Sequence, residues 1–186
     1  DTTLTNITGV KLEVLPDTSL PEFGPGLNKG NFVLTEILLA WSKKSKTDEK
    51  VNASFSDARA DFSQKDFDVK LSIDGKNEGG GKGWAVSGQP FGQPHHATFQ
   101  LAKPIGGTNG TSLRFTLSQK FADGYTIGRF RIYVTSSVDP LNEGLPTDVL
   151  EAVKLPPQTR SKDQTTTLAT FQRASDADLR KKEQSL

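Results

Sequence analysis

The stretch that decides the fold is Phe62–Phe99, FSQKDFDVKLSIDGKNEGGGKGWAVSGQPFGQPHHATF. An alternating segment enters a Gly-rich loop behind Asp74 and Gly75, Trp84 follows the loop, and a second alternating segment returns near Ala97. Alternation with period two indicates strands, and long loops between strands are where β-sandwiches carry binding residues. The pattern therefore favours a binding module over an enzyme.

Further alternating segments lie on both sides of this stretch and predict about eight antiparallel strands, one of them from Val69 to Ile73. The nearly continuous apolar run at 32–41 predicts a strand buried on both faces, and a phase slip near Ser56–Asp57 predicts a bulge. No helical period occurs before residue 145, so we expect residues 1–138 to form an all-β, jelly-roll-like antiparallel β-sandwich. The side chains expected to point inward are Val10, Leu12, Leu34, Phe55, Leu71, Phe99, Phe115, Phe130 and Ile132.

Residues 139–186 differ in composition, because β-branched alternation stops and Pro and charged residues become frequent. Thr147 is expected to cap a short helix that runs to about Lys154, and a second helix is expected to begin at Ser161. In residues 176–183 acidic residues come before basic ones, as the helix dipole prefers, and this order predicts a third helix. We expect a helical C-terminal extension or a linker to a following domain.

The composition excludes several classes of partner. The 186 residues carry 23 basic and 22 acidic side chains, a net charge of +1, so no binding of nucleic acid is expected. The absence of Cys excludes thiolate zinc sites, cysteine nucleophiles and covalently attached c-type haem within these residues. No apolar run is long enough for a membrane span, so no membrane insertion is expected, and the chain opens at Asp1 as if cut from a longer protein.

Six segments resemble the β-sandwich portion of large planctomycete-type proteins that also carry a cytochrome c domain. They are Asn6–Asp17, Gly30–Glu36, Ala60–Gln64, Ile73–Gly75, Gly83–Ala85 and Thr126–Arg131. The resemblance implies a bacterial protein in the periplasm or at the cell surface, with neighbouring domains as partners. It implies no haem here, because the haem-binding Cys-x-x-Cys-His is absent.

A second resemblance is to the galactose-binding-like jelly rolls, which include carbohydrate-binding modules. An Ala-rich strand at Ala60–Phe62, the Asp74-Gly75 loop, Trp84 and the strand at Ala97–Leu101 occur in the order typical of that class. The Trp usual in the following strand is replaced around His95–Thr98. This resemblance implies a polysaccharide or glycan as the ligand.

The candidate ligand-binding residues are Trp84, His95, His96, Asn77 and Lys82. Sugars bind against an aromatic face with a few fixed polar groups around their hydroxyls, and Trp84 beside the Gly-rich loop offers such a face. The alternative is that Trp84 caps the core. In a strand the two adjacent histidines point to opposite faces, so we expect one of them to anchor the loop by hydrogen bonding rather than to bind a metal.

Asp66, Asp68 and Asp74, with Asn77 and Glu78 nearby, are candidate ligands for calcium, since this ion prefers oxygen ligands. Solvated acids in turns are the alternative. No Gly-x-Ser-x-Gly motif occurs and the chain has only two His, so no catalytic residue is predicted.

These patterns predict a non-catalytic carbohydrate-binding module of a larger extracytoplasmic protein. The rival prediction is a structural spacer that docks neighbouring domains and binds no small molecule. Within the first hypothesis, the loop face of Lys76–Trp84 and Gln93–His96 competes with the strand face of Arg129, Arg131 and Tyr133, which suits an acidic polymer.

Overall fold

The protein has two antiparallel sheets in a computed structural model that describes residues 1–88, 92–142 and 147–175. The first sheet has four strands in the order β4-β5-β1-β7, and the second has three in the order β3-β2-β6. The strands are β1 (Ile7–Val14), β2 (Glu36–Lys43), β3 (Val51–Ala53), β4 (Phe55–Ala60), β5 (His95–Ile105), β6 (Thr111–Ser118) and β7 (Phe130–Thr135). The predicted all-β sandwich is confirmed, with seven strands in the described residues.

The core lies between the sheets, as the alternation of the strands predicts. Leu12 of β1 and Phe99 of β5 come from one sheet and Ile37 of β2 from the other, and all three are buried in one apolar cluster. Val10 lies in a second cluster with Leu39. Because alternate residues of a strand face opposite sides of a sheet, these positions place one apolar face of each sheet against the other.

Several local predictions hold. The pairing of β4 with β5 shifts register between Phe55 and Asp57, which is the predicted bulge. Helix α1 spans Thr147–Lys154 and helix α2 spans Lys162–Ser175. At the start of α2, the Ser161 hydroxyl accepts from the Gln164 backbone N–H and the Gln164 amide accepts from the Ser161 N–H, which is a capping box. The helix predicted at 176–183 lies outside the described residues.

The segment Val69–Ile73 is a 3₁₀ helix, so the strand predicted there is wrong. The Asp68 carboxylate caps it by accepting the Lys70 N–H at 2.9 Å. Val69 and Ser72, three residues apart, are the buried positions. Val69, Leu71 and Ile73 are spaced two apart, as in a strand, whereas the period of three of the 3₁₀ helix brings Val69 and Ser72 to one face.

The apolar run at 32–41 is only in part a doubly buried strand. Residues 31–37 are all buried, but β2 begins at Glu36, and Leu38 is 45% exposed. The residues before β2 are covered by single backbone bridges, such as the one between Leu34 and Trp84. Beyond residue 37 the burial is uneven, since Leu39 and Ser42 are buried while Ala40 and Trp41 are half-buried.

Phe130 pairs with the buried Val14 and so lies on the inner face of its sheet, as expected, but 46% of its surface is exposed. It is the first residue of β7, and β7 is an edge strand of its sheet, so few neighbours cover it. Phe55, Leu71, Phe115 and Ile132 are half-buried. The backbone contacts divide the chain into two units, Asp1–Leu141 and Asn142–Leu186.

Candidate functional site

Trp84 is a core residue with no exposed surface. Its ring packs edge-to-face on Phe32 with the centroids 5.1 Å apart, and its Nε1 donates to the Phe62 carbonyl at 2.8 Å. Its backbone exchanges two hydrogen bonds with Leu34, of 2.9 and 3.0 Å. The expectation that Trp84 presents an open platform to a sugar is therefore wrong, and the alternative that it packs in the core is correct.

Gly83 allows the backbone at Trp84 to lie close to the backbone of Leu34. A Cβ at Gly83 would lie 2.0 Å from the Leu34 carbonyl oxygen, well inside any van der Waals contact. Only glycine leaves room for the pairing of Trp84 with Leu34. The end of the Gly-rich loop is therefore fixed by packing.

His95 and His96 share one acid, Asp61. The Nδ1 atom of His95 lies 2.9 Å from Asp61 Oδ2, and the backbone N–H of His96 donates to Asp61 Oδ1 at 2.9 Å. His95 is buried, with its ring 6.0 Å from that of Phe62. The expected anchoring role of one histidine is therefore found in His95.

The electrostatics of this group favour a charged Asp61 and a neutral His96. Burial by itself raises the pKa of Asp61, but the hydrogen bonds from His95 and from the His96 backbone outweigh it and hold the pKa below its ordinary value. Burial lowers the pKa of His96, although the charge of Asp61 opposes the shift. Trp84 and His95 thus meet at Phe62 as parts of a paired, structural cluster.

Asn77 and Lys82 lie in the loop that precedes Trp84. Lys82 Nζ lies 5.5 Å from the ring centroid of Phe67, at cation–π distance. The carbonyl of Asn77 accepts a hydrogen bond from Lys120 Nζ at 3.1 Å, while its side-chain Oδ1 is buried without a partner. Neither residue is placed beside the histidines by any contact in the described residues.

An aromatic cluster beside this loop was missed by the sequence analysis. Phe67, Phe121 and Tyr125 pack edge-to-face, with centroids 5.4 and 5.0 Å apart, and all three are half-buried. None of them belongs to either of the two core clusters. The signal available in the sequence was the position of these three aromatics in loops, outside every alternating segment.

The three predicted calcium ligands have local roles. Asp68 caps the 3₁₀ helix, Asp74 accepts the backbone N–H of Lys76 at 2.9 Å, and Asp66 adopts a positive φ of 66°. Within residues 1–88, 92–142 and 147–175, no three or more His, Cys, Asp or Glu form a group that could hold a metal ion. The set Asp66, Asp68 and Asp74 therefore stays a prediction, as does the binding of calcium.

The rival strand face is occupied by ion pairs. Arg129 contacts Asp17 at 2.9 Å, Arg131 contacts Glu13 at 3.8 Å, and the Tyr133 hydroxyl donates to Glu13 at 3.1 Å. These acids would compete with an acidic polymer for the guanidinium groups. The face is therefore less suited to anions than its sequence suggested.

A groove of about 560 Å³ lies on the three-stranded sheet. We call it the sheet groove and define it by Ala40 and Ser42 of β2, Ser112 and Arg114 of β6, and Thr47, Asp48 and Lys50 of the connection between β2 and β3. Its volume lies within the range of about 300–1,000 Å³ found for ligand sites. It brings together residues that are far apart in sequence, so no short sequence motif predicts it.

No helix in the described part of the chain is both long and apolar enough to cross a membrane. No family model matches the sequence, and no curated protein or solved structure matches it. The two resemblances described above therefore stay predictions, and the function has to be argued from the geometry.

Proposed function

We propose that the β-sandwich is a non-catalytic carbohydrate-binding module of a larger extracytoplasmic protein, and that it binds glycan in the sheet groove. The observation that carries the proposal is the groove itself, in which hydroxyl, carboxylate, ammonium and guanidinium groups converge. A concave site with a few fixed polar groups is the usual setting for a small ligand.

The shape of the groove follows from the side chains of the central strand. Ala40 of β2 lies opposite Arg114 of β6 on one side and Asn52 of β3 on the other, and Ser42 lies opposite Ser112. Alternate residues share a face, so the small side chains of Ala40 and Ser42 form a floor between larger neighbours. A trough of this kind suits a narrow, extended chain.

The chemistry of the groove matches sugar hydroxyls, each of which both donates and accepts a hydrogen bond. Arg114 and Lys50 donate, and Asp48 accepts. Among the described residues, neither Arg114 nor Lys50 takes part in an ion pair, so both are available to a ligand. Two cationic side chains against one anionic side chain favour a sugar that carries a carboxylate or sulfate group.

The test is a glycan array followed by affinity electrophoresis of the purified domain with the polysaccharides that score. Arg114→Ala should weaken binding roughly 10- to 150-fold, because a hydrogen bond to a charged group contributes about 1.5–3 kcal/mol. Ala40→Trp, which fills the floor, should abolish binding. The matched control is Arg131→Ala, which removes an exposed Arg of the other sheet and should leave binding unchanged. Binding that survives both groove variants, or a blank array, would contradict the proposal.

A second candidate function is a spacer that docks neighbouring domains. It is supported by large exposed apolar side chains in the unit Asp1–Leu141, with Phe23 59% exposed and Phe130 46% exposed. Exposed apolar side chains of this size are typical of surfaces that another protein covers. A blank glycan array, combined with binding of the domain to the adjoining domains that is lost on Phe23→Ser and Phe130→Ser, would favour this function.

A further inference from the structure

The two sheets have four edge strands, and three of these edges are protected. Strand β3 has only three residues, β4 has the bulge between Phe55 and Asp57 and packs against the 3₁₀ helix, and Thr111 at the start of β6 is bridged to Thr2. Short strands, bulges and covering segments prevent an open edge from pairing with another strand. Within the described residues, β7 has no bulge, no Pro, no Lys and no strand beyond it.

The open edge of β7 presents the backbone groups of alternate residues. The Leu15 N–H donates to the Arg129 carbonyl at 2.9 Å, and the pairing of β1 with β7 continues from there without a register shift. The odd-numbered residues of β7 therefore bond β1, and Phe130, Ile132 and Val134 point their N–H and carbonyl groups away from it. In the described part of the chain, no backbone hydrogen bond reaches these three residues from that side.

The side chains along this edge are partly open to solvent on both faces of the sheet. Phe130 is 46% exposed and Tyr133 is 45% exposed, while Ile132 and Val134 are half-buried. Phe130, Ile132 and Val134 share the inner face, and Arg131 and Tyr133 share the outer face. A strand added at this edge would extend the apolar inner face and cover Phe130.

The sequence of β7 is complementary to itself in an antiparallel pair centred on Ile132. In that register Ile132 lies opposite Ile132 of the second copy, Phe130 lies opposite Val134, and Arg131 lies opposite Tyr133. The residues whose backbone groups are free then face one another, so their N–H and carbonyl groups can pair. No like charges meet, and each guanidinium group lies beside an aromatic ring, which is a favourable cation–π arrangement.

We propose that the protein forms a two-fold symmetric dimer in which β7 pairs antiparallel with β7 of a second copy, so that the two four-stranded sheets become one continuous sheet. Glu13 of each copy contacts Arg131 and Tyr133 of its own chain, so the joined outer face carries paired charges. Only one strand of each copy is covered, and interfaces of this small size are weak, so the dimer should dissociate on dilution. The proposal is independent of glycan binding, because the sheet groove lies on the other sheet.

The experiment is sedimentation equilibrium of the purified protein from micromolar to near-millimolar concentrations. The average mass should rise with concentration from that of one chain towards that of two chains. The mass of one chain at every concentration would overturn the proposal. A rise beyond two chains would also contradict it, because two-fold pairing of β7 uses up the edge in the dimer.

Two variants test the register and one serves as a control, with melting temperatures to check that each is folded. Tyr133→Lys places a lysine opposite Arg131 of the second copy and should weaken association about tenfold, because like charges then meet twice in the symmetric pair. Adding Arg131→Glu to Tyr133→Lys should restore association, because the introduced acid then faces the introduced lysine. Val51→Lys makes a similar change on the edge strand β3, at a residue that is 55% exposed, and should leave association unchanged.

The outcomes of the variants separate this register from other modes of association. A dimer of wild-type strength in Tyr133→Lys, or one that the added Arg131→Glu does not restore, would contradict the pairing centred on Ile132. A dimer lost in Val51→Lys would place the interface on the other sheet.

Discussion

The two ends of the Gly-rich loop differ in how completely their polar groups are paired. At the Trp84 end, the indole N–H bonds the Phe62 carbonyl, and the neighbouring Asp61 bonds His95 and the His96 backbone. At the Asp74 end, the buried oxygens of Glu36 and Asn77 have no partners. Paired buried groups hold a fold together, whereas unpaired ones weaken it unless a ligand completes them. The sequence motif centred on Trp84 therefore marks the structural end of the loop.

The largest expected effect comes from breaking the paired end at Trp84. Trp84→Ala should lower the free energy of unfolding by about 3–5 kcal/mol, because it leaves a cavity beside Phe32 and an unpaired Phe62 carbonyl. Urea denaturation followed by circular dichroism measures the change. A folded variant of near wild-type stability would contradict the burial of this ring.

Gly83→Ala should cause the second-largest loss of stability. The added methyl group would collide with the Leu34 carbonyl, so the backbone pairing with Trp84 has to open, at a cost of about 1–3 kcal/mol. Gly79→Ala, in the same loop and with nothing within 4 Å of the added Cβ, is the matched control and should be nearly neutral. Equal midpoints of denaturation for the two variants would argue against the close approach.

The hydrogen-bonded cluster of Asp61, His95 and His96 should make the stability of the protein sensitive to acid. The folded pKa of His96 lies below its ordinary 6.5, so folded-state stability falls as the pH drops from about 6.5 towards the folded pKa. The folded pKa of Asp61 lies below 3.8, so a further loss follows as the pH falls through that folded pKa. Asp61→Asn should lower stability by about 1–2 kcal/mol at pH 7. It should also reduce the loss of stability that follows from protonation of Asp61. Denaturation curves from pH 3 to 8 test this, and a variant with an unchanged pH profile would contradict it.

The smallest effect is expected at the unpaired end. The folded pKa of Glu36 lies above its ordinary 4.5, so the wild-type protein should lose stability as the pH rises from about 4.5 through the raised pKa. Glu36→Gln should remove that loss and gain up to about 1 kcal/mol at pH 7. Thermal unfolding at pH 4 and pH 7 measures both values. A variant that is less stable than wild type only at pH 7 would show that the charged form of Glu36 is already paired.

The sequence predicted those parts of the fold that depend on local patterns. Alternation marked β1 through Val10 and Leu12, and Ser161 marked the start of α2. It failed for Val69–Ile73, where five residues are too few to separate a strand from a 3₁₀ helix. The exposure of Leu38 in β2 was not predicted, because the number of elements that cover a strand depends on the order of strands in the sheets.

The candidate sites depended on long-range placement and were harder to predict. The sheet groove requires the register that sets Ala40 opposite Arg114, and the burial of Trp84 requires its backbone pairing with Leu34. Neither relation has a local signature. The residue types at the Trp84 motif suited a sugar site, but only burial could show which way the ring faces.

The position of β1 has a consequence for how the chain folds. Although β1 is the first strand in the sequence, it lies inside the four-stranded sheet and pairs with both β5 and β7. Val10 pairs with Phe99 and with Val134, so both partners are separated from it by long stretches of chain. Closing such long loops slows folding into the range of milliseconds to seconds typical of sandwiches. During synthesis, the four-stranded sheet therefore cannot be completed around β1 until β7 has left the ribosome.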